Sequence, residues 1–143
     1  MSNLNQEELK KQVVNIISNQ RTGVLATVEN NKPHSRYMTF FNKDLTLYTP
    51  TKADTEKLEE LKENPAVSVL LGFENKGLGD TYVQISGTSS INDSQNLKKQ
   101  YWDESFNKWF DGPEDPNYVF LEIKPEIVRV LNNEGSPPQE LQL

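Results

Sequence analysis

Short runs in which apolar residues recur at every second position, each closed by a turn, constrain this chain more than any other feature. Val24, Ala26 and Val28 alternate from Gly23 onward, then Glu29-Asn30-Asn31-Lys32 turns the chain into an extended run from Ser35 to Phe41. Asn42-Lys43-Asp44 turns it again, into Leu45 to Thr49, so this part predicts a three-stranded meander. Val67, Val69, Leu71 and Phe73 repeat the period, the Gly-rich stretch Glu74 to Asp80 breaks it, and Tyr82 to Ile91 restores it. Val119, Leu121 and Ile123 alternate once more, with Pro125 separating them from Ile127 to Leu131. Six or seven short strands without a repeated βαβ unit predict a mainly β (α+β) antiparallel barrel rather than a doubly wound sheet.

Helical spacing is confined to three places. Leu9, Val13, Ile16 and Ile17 give an amphipathic helix near residues 5 to 19, with Asn5 and Glu8 as a capping box. Leu58 and Leu61 mark a second helix near 54 to 63, with Asp54 as N-cap and Asn64-Pro65 as the stop. Asp93 caps a third, through Leu97 and Tyr101, before the polar loop Asp111-Gly112-Pro113-Glu114-Asp115-Pro116. A length of 143 residues suits one domain, taken here as 1–131, and the remainder, 132–143, lacks a core pattern and is expected to be a mobile tail.

Composition narrows the chemistry. With no cysteine there is neither a disulfide framework nor a thiolate ligand or nucleophile. The single histidine, His34, has no nucleophile-elbow motif beside it and is read as non-catalytic. A net charge of −6 argues against nucleic acid as a partner. No apolar run is long enough to span a bilayer, so no membrane partner is expected and the chain reads as cytoplasmic. No Walker loop or Rossmann fingerprint occurs.

Two stretches carry anion chemistry. Ser35-Arg36-Tyr37-Met38-Thr39-Phe40 puts one cation on an otherwise apolar and aromatic strand, and a guanidinium can clamp a phosphate through two parallel hydrogen bonds. The same pattern also fits a solvent-facing arginine on a half-buried strand. Tyr48 to Lys57 is a hydroxyl-rich loop running from a strand into a helix, where free N–H groups, hydroxyls and a lysine can converge on one anion. Plain helix capping by Thr51, Asp54 or Thr55 fits it equally well. Trp102, Trp109 and Phe110 form an aromatic density suited to a flat ring, a subunit interface or a core.

In order and spacing these segments resemble the pyridoxamine 5'-phosphate oxidase-like superfamily of FMN-binding split barrels, in particular its general stress protein 26 branch. The resemblance runs through Gly23-Val24-Leu25-Ala26-Thr27, His34-Ser35-Arg36-Tyr37-Met38, Leu47-Tyr48-Thr49, Asp54-Thr55-Glu56-Lys57, Asn64-Pro65-Ala66-Val67, Ile85-Ser86-Gly87 and Lys108 to Pro116. It implies a split-barrel domain in which Arg36 and Lys57, helped by Thr55, hold the FMN phosphate. Tyr37, Met38 and Thr39 would line the isoalloxazine through backbone groups, with Tyr48 and Thr49 completing that wall. Tyr82 would present a polar side chain to the flavin, and Trp109 would cover it, from the same or the partner subunit. It further implies a homodimer with flavin at the subunit interface and a small-molecule electron donor and acceptor.

The chain departs from the branch at three points. Tyr37 stands where proline is common, which restores an N–H donor. Glu56 stands where the oxidases have a second basic residue. The C-terminus, Glu134 to Glu140, replaces the basic, His-containing substrate motif of the true oxidases, so pyridoxamine phosphate oxidation is not expected. The expected function is thus an FMN-dependent oxidoreductase of unknown substrate, the alternatives being a non-catalytic flavin-binding or sensing module and a flavin-free dimeric barrel. The deazaflavin F420 is the alternative cofactor.

Overall fold

The structure, a computed structural model, describes residues 3–72 and 80–143, without the side chains of Asn3, Leu4 and Glu56. Phe73 and most of the Gly-rich break lie outside the described residues. In chain order the elements are α1 (Asn3–Asn19), β1 (Thr22–Glu29), β2 (Lys32–Thr39), β3 (Phe41–Lys43), β4 (Thr46–Lys52) and α2 (Glu56–Glu63). Then follow β5 (Ala66–Leu71), β6 (Tyr82–Asn92), α3 (Gln95–Gln100), a 3-10 turn (Glu104–Lys108), β7 (Tyr118–Leu131) and β8 (Gln139–Leu141).

All strands pair antiparallel, in the order β2-β1-β5-β6-β7-β4-β3, with β8 on β7, and the sheet curls into a split barrel. The expected barrel class holds, but the expected meander does not. β2 ends one side of the sheet and the β3–β4 hairpin ends the other, so the chain crosses the split instead of folding back. The crossing is short: Phe40, fully buried, donates its N–H to the Arg21 carbonyl at 2.6 Å, and β3 begins at the next residue. β4 pairs with β7 over Leu47↔Ile123 to Lys52↔Tyr118, which buries its inward Leu47, Thr49 and Thr51.

The structure sets the phase of β1, which alternation alone left open. Leu25 and Thr27 enter the core, while Val24, Ala26 and Val28 face outward, half-buried. Both faces of this strand are largely apolar, so alternation alone could not tell which was inside. Pro125 does not divide β7. The register between β6 and β7 slips at Ser86/Gly87, so Glu126 is an extra residue in one continuous strand. A bulge is where a residue without an N–H fits in a paired strand, and a Cβ on Gly87 would collide with the Lys124 carbonyl.

Helix ends were read one or two residues off. Helix α1 starts at Asn3, so Asn5 and Glu8 lie within it rather than capping it. Thr55, not Asp54, is the N-cap of α2, and Ser94, not Asp93, caps α3 by accepting from the Leu97 N–H. In the segment expected to be a mobile tail, β8 pairs with Val128 to Val130 and Leu141 is buried in the core. Three residues present one inward apolar side chain, too few to register as a period.

Two apolar clusters result. The barrel core takes Leu9, Val13 and Ile17 of α1 together with the inward residues of the strands. A second, aromatic cluster of Tyr48, Phe106, Phe110, Tyr118 and Phe120 lies outside β4 and β7, under α3 and the 3-10 turn. The start of β7 is buried on both faces, Tyr118 to Leu121, because it serves both clusters. Among the described residues no helix is long and apolar enough to cross a membrane.

Candidate functional site

The split between β2 and β4 opens into a cleft of about 420 Å³, within the usual range for small-molecule sites. One wall is Thr22 with Tyr37, Met38 and Thr39 of β2, the other is Pro50, Thr51, Lys52 and Thr55, and Phe106, Trp109 and Phe110 close the end. Five of the ten residues singled out for a cofactor, Tyr37, Met38, Thr39, Thr55 and Trp109, therefore line one cleft. Residues far apart in sequence meet there because the chain crosses the split once between β2 and β3.

Arg36 and Lys57 come together beside it. Arg36 points to the core side of β2, where Nη2 donates to Thr27 Oγ1 at 2.9 Å and Nη1 approaches the Leu25 carbonyl at 3.5 Å. Lys57 reaches from the first turn of α2 to within 3.9 Å of Met38 Sδ. Its ammonium is held below the usual lysine pKa, first by burial and then by repulsion from Arg36. Burial and the Arg36 guanidinium are the causes of that shift, and no carboxylate among the described side chains counters them.

The helix start next to Lys57 is uncapped. Thr55 Oγ1 donates to the Lys52 carbonyl at 3.0 Å and makes no cap bond to the helix. Its hydroxyl is thus spent on the turn, which leaves the first N–H groups of α2 without the usual side-chain acceptor. Of the two readings of Tyr48 to Lys57, ordinary side-chain capping by Thr51, Asp54 or Thr55 is not what forms. The Glu56 side chain lies outside the described ones.

The remaining candidates sit elsewhere. Thr49 is fully buried, and its Oγ1 is the one buried side-chain polar atom among the described residues without a hydrogen-bond partner. Two residues away on the same face of β4, Thr51 lines the cleft. Beyond Tyr48, the β4 edge that carried β3 has no strand partner among the described residues, so the backbone of Thr49 to Lys52 flanks the split. Tyr48 itself turns its ring into the aromatic cluster, 6.1 Å from Tyr101, where burial and then Glu122 push its phenol pKa up. Tyr82 pairs with Leu131 at the far end of β6 and does not line this cleft. His34 lies on the β2 surface, 3.8 Å from the Glu29 carboxylate.

Thr22 and Phe106 line the cleft without having been singled out. Thr22 is the register partner of Thr39, so pairing rather than residue type places it there. Phe106 belongs to the aromatic cluster behind Trp109 and carried no signal beyond its hydrophobicity.

Trp109 is 57% exposed at the cleft's end, while Phe110 behind it packs on the buried Tyr118 ring at 4.9 Å. The loop after them is folded on Asp115. Its carboxylate accepts from the Asp111 and Asn117 N–H groups, both at 2.9 Å, which holds the Asp115 pKa below the usual carboxylate value.

Comparison with known proteins agrees with this fold. The pyridoxamine 5'-phosphate oxidase family matches residues 9–132. The chain is 46% identical over 140 residues to General stress protein 26 of Bacillus subtilis (strain 168), covering 98% of this chain and 100% of that one. The crystal structure of General Stress Protein 26 from Bacillus anthracis str. Sterne superposes with a TM-score of 0.86 at 40% identity, covering 95% of this chain and 99% of that one. A candidate pyridoxamine 5'-phosphate oxidase from Listeria innocua superposes with a TM-score of 0.77 at 36% identity, covering 87% and 99%. This chain therefore belongs to the pyridoxamine 5'-phosphate oxidase-like family, in its general stress protein 26 branch.

Proposed function

We propose that this protein binds FMN in the split between β2 and β4 and acts as a flavin-dependent oxidoreductase on a small-molecule electron donor and acceptor. The observation that carries the reading is the pairing of Arg36 and Lys57 beside the uncapped start of α2. Two converging cations and a helix start whose N-cap residue makes no side-chain cap bond are a donor set suited to a phosphate monoester. Arg36 and Lys57 would hold that phosphate, and Thr55 would join them by turning its hydroxyl away from the Lys52 carbonyl. The ring would lie between Tyr37 to Thr39 and the unpartnered edge of β4, under Trp109, within reach of the orphaned Thr49 hydroxyl. Bound there, FMN supplies the electron or hydride transfer, and the protein supplies binding and orientation.

The partner we assign is a second copy of the chain. The outer face of the sheet carries Tyr37, Val24, Leu70, Gln84 and Arg129 in one register row and Ser35, Ala26, Ser68, Ser86 and Ile127 in the next. Tyr37, Leu70 and Ile127 are exposed at 79%, 39% and 41%, an apolar concentration suited to an interface. Tyr37 joins that face to the cleft, so a partner seated on it would complete the mouth of the site. Arg36→Ala and Lys57→Ala test the reading. Each is expected to weaken FMN binding by about 1.5 to 3 kcal/mol, the size of a charged hydrogen bond, in a fluorescence titration. Unchanged affinity in both would remove the phosphate from this corner.

A further inference from the structure

The two walls that close over the end of the cleft are tied together by a polar relay that neither wall's own sequence suggests. Asp115 is its hub. Its carboxylate accepts from the Asp111 N–H, one residue beyond Phe110 and two beyond Trp109, and from the Asn117 N–H. Its carbonyl accepts from the buried Lys98 ammonium at 3.2 Å, and Lys98 lies 5.5 Å over the Tyr118 ring. Asn117 then reaches the opposite wall. Its carbonyl accepts from the Ala53 N–H at 2.9 Å and its Oδ1 from the Asp54 N–H at 3.2 Å. Ala53 and Asp54 form the turn between Lys52 and Thr55, both of which line the cleft.

We infer that Asp115 and Asn117 are positioning residues that couple the aromatic wall to the turn before α2 and thereby set this site's preference for a phosphorylated flavin. The inference rests on the FMN reading above. Neither residue lines the cleft, and each acts through the backbone it holds: Asp115 on both arms, Asn117 on the turn alone. The arms are separable by ligand. A flavin lacking the phosphate feels only the aromatic arm, whereas FMN also feels the turn that presents Thr55 and Lys57.

The test compares FMN with riboflavin in equilibrium titrations of the full chain. Asn117→Ala is expected to weaken FMN about tenfold, the effect of one lost hydrogen bond of ordinary size, and to leave riboflavin within about twofold. Asp115→Ala is expected to weaken both ligands. Equal losses for both flavins in Asn117→Ala, or no loss for either, would overturn the relay even with FMN bound normally by the unaltered chain. A readout without flavin guards against loss of fold and against failure of the FMN reading. In Asp115→Ala the Ala53 and Asp54 amides, which Asp115 does not touch, should exchange with deuterium about tenfold faster, while the amides of β5 and β6 keep their rates. Unaltered exchange at Ala53 and Asp54 would also overturn the relay.

Discussion

The walls of the cleft are built to different standards. Among the described residues β2 is an edge strand paired with β1 alone, and it presents Tyr37 largely to solvent. β4 pairs with β7 along Leu47 to Lys52, which includes the residues that wall the cleft, and is backed by an aromatic cluster in which Tyr118 and Phe120 are fully buried. Under the proposed FMN reading the contrast would divide the work of the site: the β4 wall would fix geometry through packing, and the β2 side with Lys57 would supply charge and recognition at little cost in stability.

The sharpest way to break that contrast is to empty the packed wall. Phe120→Ala removes a fully buried ring that meets Phe41, Tyr48, Tyr101 and Tyr118, and it should cost about 3 to 5 kcal/mol in denaturant unfolding. A cost under about 1 kcal/mol would mean the β4 wall is no better anchored than β2. Lys57→Met is the opposite case. Burial and Arg36 already disfavour the charged lysine, so stability should stay within about 0.5 kcal/mol or rise, even as FMN affinity falls.

The smallest effect is a pH dependence whose sign follows from the same lysine. Lys57 has a folded-state pKa below its ordinary value, so between the two the unfolded chain binds the extra proton and stability increases with pH across that window. A bound phosphate favours the charged form and raises the pKa again. FMN binding at alkaline pH should therefore take up a proton, and affinity should fall as pH rises through the lowered pKa. Calorimetry in buffers of different ionisation enthalpy reads this directly, and Lys57→Met should abolish the uptake.

Much of this was legible from residue order. The period-two runs gave the strands, and the hydroxyl-rich stretch Tyr48 to Lys57 held four of the cleft's residues, Pro50, Thr51, Lys52 and Thr55. What the sequence hid was long-range. Nothing local says that β4 pairs with β7 instead of β2, because Tyr48 and Thr49 would serve either neighbour. Alternation could not say whether Val24 and Ala26 face in or out, because an apolar outer face has the same period as an apolar inner one. Asp115 and Asn117 looked like ordinary turn residues in a Pro-rich loop, and their reach to Ala53 and Asp54 exists only after folding. The resemblance to the split-barrel family brought Arg36 and Lys57 forward, and their electrostatics, visible only in three dimensions, give that pairing a physical basis.

The most direct measurement is the visible absorption spectrum of the purified protein before and after stepwise addition of FMN, with removal of unbound flavin. A saturable, protein-retained flavin band, lost in the Arg36→Ala, Lys57→Ala double variant, is the expected result. A protein that stays colourless at every FMN concentration would contradict the assignment of the β2–β4 cleft as a flavin site.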